Sequence, residues 1–199
     1  MSVWVLPKVL IWLSTVVVVV SDNGVLAFSS DPGLGIDAPD RQLTWMDRAG
    51  KALDIAGART SAARLRLSPD GARVALLEVM TTSPSPAGGA LWVMDLTRNV
   101  KQPLTSGSTV ALSPTWLPTG ERLLFGVRST TGESTTTIVE QVASGATPAR
   151  AVLEQAGYSL TPVDASADGK WTVYLSGRTT VRSLFALPGS GGTPAPYLA

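Results

Sequence analysis

Leu65-Arg66-Leu67-Ser68-Pro69-Asp70-Gly71-Ala72-Arg73-Val74-Ala75-Leu76-Leu77 reads as strand, turn, strand. Pro sets φ for the entry to a tight turn, Gly accepts positive φ, and the Asp side chain caps nearby N–H groups. An isolated Asp-Gly turn is common, but this one recurs. Ser21-Asp22-Asn23-Gly24, Leu117-Pro118-Thr119-Gly120 and Ser166-Ala167-Asp168-Gly169 occupy equivalent places. The four glycines, at 24, 71, 120 and 169, are 47, 49 and 49 residues apart.

A second element keeps the same phase. Leu43-Thr44-Trp45-Met46-Asp47, Leu91-Trp92-Val93-Met94-Asp95, Ile138-Val139-Glu140-Gln141 and Leu184-Phe185-Ala186-Leu187 read as third strands. Opening strands precede each tetrapeptide at 16–20, 65–67, 110–112 and 160–163, and closing strands fall around Leu53, Leu104, Val152 and Tyr197. Four strands per unit, repeated at this period, is the pattern of propeller blades. A blade stacked between neighbours buries both faces, so its middle strands need not alternate apolar with polar residues. Val74-Ala75-Leu76-Leu77 and Leu91-Trp92-Val93-Met94 are such runs. The expected fold class is all-β, a propeller-like array of four four-stranded antiparallel blades. The blades span about 16–58, 63–105, 110–154 and 160–199, after an apolar segment at 1–15.

Composition excludes several chemistries. The 199 residues hold no Cys and no His. Disulfides, thiolate nucleophiles, Ser-His-Asp triads and His or Cys metal sites therefore cannot form within the chain. Its 16 Lys and Arg against 15 Asp and Glu give a net charge of +1 without a basic cluster. No nucleic-acid partner is expected.

The motifs at 65–75 and 91–96 resemble the TolB-like, WD-repeat-like β-propeller family. Blades of that family read roughly as Ser-Pro-Asp-Gly, a basic residue, an apolar strand, and a strand ending Met-Asp-Leu. Residues 22–28 and 42–51 resemble the C-terminal, extracytoplasmic propeller of bacterial membrane-anchored serine/threonine protein kinases. The resemblance covers residues 16–199. It departs at Leu117 and Thr119, and at Ala167. It implies a partial propeller whose parents have more blades, and a periplasmic or extracytoplasmic setting, membrane-tethered in one version. No kinase Gly-rich loop with its lysine and no His-Arg-Asp loop occurs here.

Residues 3–20 are apolar except for Lys8, Ser14 and Thr15. One reading makes 16–20 the first blade's opening strand, since five consecutive Val favour β structure. The other makes Lys8 and the run at 9–20 an export signal or membrane anchor. The two are compatible if 3–13 belongs to the signal.

Asp31, Asp37 and Asp40 offer oxygens for a hard cation, but their spacing matches no dedicated loop and solvated acids are expected. Ser/Thr-rich 129–137 and Gly189-Ser190-Gly191-Gly192 lack the Lys and following helix of a phosphate loop. Trp4, Trp12, Trp45, Trp92, Trp116 and Trp171 read as packing residues. No catalytic, cofactor or metal site is expected. The connections at 29–41, 81–89 and 128–136 fall between second and third strands, and so crowd onto one end. The leading function is a non-catalytic scaffold that binds a protein, a peptide or an envelope component. The alternative is the sensor or regulatory propeller of a kinase, or of a propeller-gated peptidase. Open blade edges at 16–20 and 183–187 invite self-association.

Overall fold

The repeated tetrapeptide closes the same turn each time, and its hydrogen bonds explain why. In this computed structural model, which describes residues 12–13, 16–20, 26–30, 41–47, 51–79, 89–105, 109–129, 135–178 and 181–197, Gly71 N–H donates to Ser68 O at 2.9 Å. Ser68 Oγ accepts from Arg73 N–H at 2.9 Å, and Asp70 Oδ1 accepts from Ala72 N–H at 3.0 Å. The fourth repeat copies this, with Trp171 N–H on Ser166 Oγ at 3.0 Å and Lys170 N–H on Asp168 Oδ1 at 3.1 Å. The third repeat lacks Ser and Asp, yet Gly120 N–H still reaches Leu117 O at 2.9 Å. The backbone keeps the turn because glycine supplies its left-handed residue, with φ of 73° at Gly71, 72° at Gly120 and 70° at Gly169. Residues 21–24, the first of the four tetrapeptides, lie outside the described residues.

These turns join strands into successive antiparallel sheets, and no helix occurs among the described residues. The first sheet orders β1 (Trp12–Leu13), β2 (Val16–Val20), β3 (Leu26–Ser30), β4 (Arg41–Met46) and β5 (Ala52–Thr60). The next holds β6 (Ala62–Leu67), β7 (Arg73–Val79), β8 (Gly89–Asp95) and β9 (Val100–Pro103). Then come β10 (Val110–Trp116), β11 (Arg122–Arg128), β12 (Thr136–Val142) and β13 (Arg150–Leu153). Last are β14 (Ser159–Ala165), β15 (Trp171–Gly177), β16 (Ser183–Pro188) and β17 (Ala195–Pro196). The second and third sheets meet through Ala111 opposite Gly89, which joins them into one eight-stranded sheet. Four blades of a partial β-propeller result.

The valine run forms β2, as its β-branched composition favours. It also pairs with β1, so the first sheet carries one more strand than the repeat requires. The export-signal reading of residues 3–13 falls largely outside the described residues.

Three apolar clusters fill the seams between consecutive blades. Leu43, Ala56, Leu65, Val74 and Met94 pack between the first and second. Leu77, Leu91, Trp116, Leu123 and Phe125 pack between the second and third. Leu124, Ile138, Leu160, Tyr174 and Leu187 pack between the third and fourth. Among the described residues no such cluster joins the fourth blade to the first. Trp45, Trp92 and Trp116 lie in these seams as packing residues. Trp171 differs: it is 46% exposed, because it alternates with Thr172, which faces the third blade. On the first blade's outer strand, Ile55 is 64% exposed beside buried Ala56.

Polar contacts stitch the same seams. Thr60 Oγ1 donates to Glu78 Oε1 at 2.6 Å, and Lys101 Nζ meets the same oxygen while lying over the Trp92 ring. Burial pushes the Glu78 carboxyl up, but the hydrogen bonds from Lys101 and Thr60 outweigh it and hold the group below its usual range. Arg73 stacks on Trp116 and donates to Gly120 O at 2.9 Å, tying two successive turns together.

Two predictions follow from these contacts. Gly71→Val or Gly169→Val is expected to cost about 1–3 kcal/mol through strain at positive φ, measured by chemical denaturation. At Gly169 space is not the obstacle, since an added Cβ would meet Pro118 at an ordinary 3.8 Å. Because the folded pKa of Glu78 is depressed, its contribution is present above the unfolded value. It is lost as pH falls through the folded one. Glu78→Gln is therefore expected to be less stable than the wild type at neutral pH. The variant should also lose less stability than the wild type between about pH 5 and pH 3, read from denaturation midpoints across that range. Parallel acid curves would show that the carboxylate contributes nothing.

Candidate functional site

An antiparallel four-strand meander sends its first and third connections to one end. Its second connection, with the link to the next blade, goes to the other. The first end is here called the turn end and the second the loop end. The flanking strands put the connections at 29–41, 81–89 and 128–136 at the loop end, together with the links after β5, β9 and β13. Most residues of those three connections, including Asp31, Asp37 and Asp40, lie outside the described residues. No group of three metal-ligating side chains occurs among the described residues.

A cleft of about 490 Å³ opens at the loop end of the third blade. Arg128, Ser129, Thr135, Thr137 and Glu154 give it a polar lining, with Val127 and Ala156 beside them. Its shape depends on hydrogen bonds between β12 and the link at 154–158. Thr135 Oγ1 accepts from Gly157 N–H at 3.1 Å, and Thr136 N–H donates to Tyr158 O at 3.0 Å. Ser129 N–H closes the β11–β12 connection onto Thr135 O at 2.9 Å. From the fourth blade, the Arg178 guanidinium lies 4.5 Å from the centre of the Tyr158 ring, and Ser176 Oγ reaches Gln155 Oε1 at 3.4 Å. The cleft is thus lined by the third blade and its trailing link, and the fourth blade braces that link at Gln155 and Tyr158. Its hydroxyls and its Arg and Glu can exchange hydrogen bonds with a polar ligand.

The two ends differ in charge arrangement. At the turn end most described cations are paired locally: Arg73 with Asp70 at 3.7 Å, Lys170 with Asp168 at 3.1 Å, and Arg98 with Asp95 at 3.8 Å, Lys51 being the exception. Glu140 holds both Arg122, at 2.6 Å, and Arg150, at 3.1 Å. Burial raises the Asp70 carboxyl, but the Ser68 hydroxyl, the Ala72 N–H and the Arg73 charge bring it below its ordinary range. The Asp168 carboxyl is lowered by the Ser166 hydroxyl and by Lys170. At the loop end Arg64, Arg128, Arg178 and Arg182 make no ion pair within 4.0 Å among the described residues.

The Ser/Thr-rich segment at 129–137 contributes Ser129, Thr135 and Thr137 to the cleft, as hydrogen-bonding groups rather than a phosphate loop. Glu154 and Ala156 were not singled out by motif. Their signal was positional, since they follow the closing strand and so belong to a link between blades. Thr135→Val would leave the Gly157 N–H unpaired and is expected to cost about 1–3 kcal/mol, whereas Thr135→Ser should cost less. Urea denaturation of both variants checks this.

With the geometry in hand, the fold places the chain among β-propeller segments. No protein-family model matches the sequence, and no curated protein matches it. Among solved structures, TolB from Acinetobacter baumannii aligns with a TM-score of 0.66 at 17% identity, over 88% of this chain and 42% of that one. A prolyl endopeptidase structure aligns at 0.64 and 17%, over 88% of this chain and 28% of that one. Oligogalacturonate lyase from Vibrio parahaemolyticus aligns at 0.64 and 13%, over 90% and 52%. At these identities the likeness is one of fold. The chain spans about half, or less, of each of these structures.

Proposed function

We propose that this chain is a non-catalytic propeller scaffold that binds a protein or peptide through its loop end, in an extracytoplasmic setting. One observation carries the reading. The turn end pairs most of its described cations, while the loop end gathers the long connections, a polar cleft and arginines without ion pairs. A surface built for binding keeps polar groups that its own fold does not satisfy, on connections held by a rigid scaffold. TolB among the structures of like fold supports a scaffold role. The absence of His and Cys from the sequence removes the commonest catalytic bases and nucleophiles.

A second reading makes the chain the regulatory propeller of a larger enzyme. The overlap with 28% of a prolyl endopeptidase chain favours it, because inter-domain dynamics have a role in catalysis by that enzyme. The kinase-linked version rests on the sequence resemblance at 22–28 and 42–51. The exposed Ile55 and Trp171, on the first and last blades, support association through the open flanks.

Photo-crosslinking residues placed at Arg128, Glu154 and Ala156 are expected to capture a discrete partner in cells. Placed at Thr119, Ser144 and Ser190, at the turn end, they should capture none. Crosslinks confined to the turn end, or to neither end, would overturn the assignment.

A further inference from the structure

The inner strands β6, β10 and β14 surround the axis of the array, and each loses register partway along its length. Pairing slips between Ala62 and Arg64 in β6, between Leu112 and Thr115 in β10, and between Pro162 and Asp164 in β14. Bulges of this kind re-aim side chains and gather near functional sites. In β10 the irregular segment holds Ser113 at φ 40°, a left-handed conformation that a serine adopts only under constraint. The Arg64 guanidinium reaches the Ser113 hydroxyl across the gap between blades, Nη1 to Oγ at 3.5 Å.

Three arginines converge there. Arg64 and Arg66 project from the same face of β6, opposite Leu77 and Ala75. Arg182 enters from the residues before β16, and its Cγ would lie 2.9 Å from a Cβ placed on Gly177. Gly177 is itself paired with Ser159 at the loop end of β14. Burial and the Arg182 charge lower the pKa of Arg64. Burial and Arg64 lower that of Arg66, against the attraction of Asp164. Among the described residues the cluster has one acid, Asp164, and none of the three arginines has an ion pair within 4.0 Å. The fourth inner strand, β2, adds no compensating carboxylate, since it is five valines. Arg66 is half-buried while Arg64 and Arg182 stay exposed, and like charges held together are unfavourable until an anion joins them.

We propose that Arg64, Arg66 and Arg182, with the Ser113 hydroxyl, form an axial site for an anionic oxygen group, a carboxylate or a phosphate, carried by a ligand entering from the loop end. Guanidinium groups suit both, because their planar fork of donors matches two oxygens at once. Ser113 adds a neutral donor beside Arg64. Asp164 tempers the charge around Arg66, so the site favours a single anionic group over a densely charged polymer. This inference rests on the loop end as the binding face and names the chemistry it recognises.

Calorimetric titration of the full chain with citrate and, separately, with inorganic phosphate is expected to give saturable one-site binding of at least one of them. The anion that binds identifies the source. The dissociation constant should rise at least tenfold in Arg64→Gln and in Arg66→Gln, and remain as in the wild type in Arg122→Gln at the turn end. Without anion, Arg64→Gln should melt at or above the wild-type temperature, since it relieves repulsion; lost binding then cannot be ascribed to unfolding. Absence of saturable binding by either anion, or unchanged binding in the Arg64→Gln/Arg66→Gln double variant, would overturn the site. If the loop-end crosslinks persist in that double variant, only the anion site falls. If no loop-end crosslinks form even in the wild type, the binding face falls with it.

Discussion

Each blade of this protein is a sheet with two faces to bury, and neither face has a helix to cover it. The only apolar partner available is the next blade, so the three seams organise everything else. Gly126 shows how tight that requirement is. A Cβ there would lie 2.9 Å from Thr136 Cγ2 and 3.2 Å from both Leu112 Cβ and Leu160 O. The fourth blade's inner strand comes as close as it does to the third because β11 has no side chain at that point. The same packing fixes how far apart the inner strands stand, and hence what can gather around the axis. Polar groups in the seams follow the packing: the Trp116 indole N–H meets Arg66 O at 2.8 Å, and Gln102 meets Ala143 O at 3.2 Å.

The two ends of the array solve the same problem differently. At the turn end, the described connections are short and their tetrapeptide side chains are satisfied within the repeat, as with Ser166 and Asp168. At the loop end, the connections within a blade are long, and the links between blades bring donors and charges against the neighbouring blade. The contact of Arg178 with Tyr158 is of that kind. This division explains why a propeller can vary what it recognises without altering its blades. Structures with the same architecture include TolB, prolyl endopeptidases and a lyase, so the fold leaves function to the site.

Much of this was legible in the sequence. Spacing of 47 to 49 residues between glycines placed the turns, and the need for positive φ explains why glycine stands at each described one. The runs around Leu76 and Leu91 declared strands buried on both faces. The candidate site was legible only in outline. Period and strand order put the connections at one end, but Glu154 and Ala156 carry no motif. Arg64, Arg66 and Arg182 look like ordinary surface arginines in a chain of net charge +1.

The amino-acid sequence by itself determined the turns, the strand order, the four-blade count and the lack of His and Cys chemistry. These are local or periodic properties, set by φ preference, side-chain branching and composition. Only the tertiary structure decided which side chains meet. Arg64 and Ser113 are 49 residues apart, and come together because seam packing sets two inner strands side by side. The irregular segment that holds Ser113 arises where β10 and β11 fall out of register, a relation between strands that no single segment encodes.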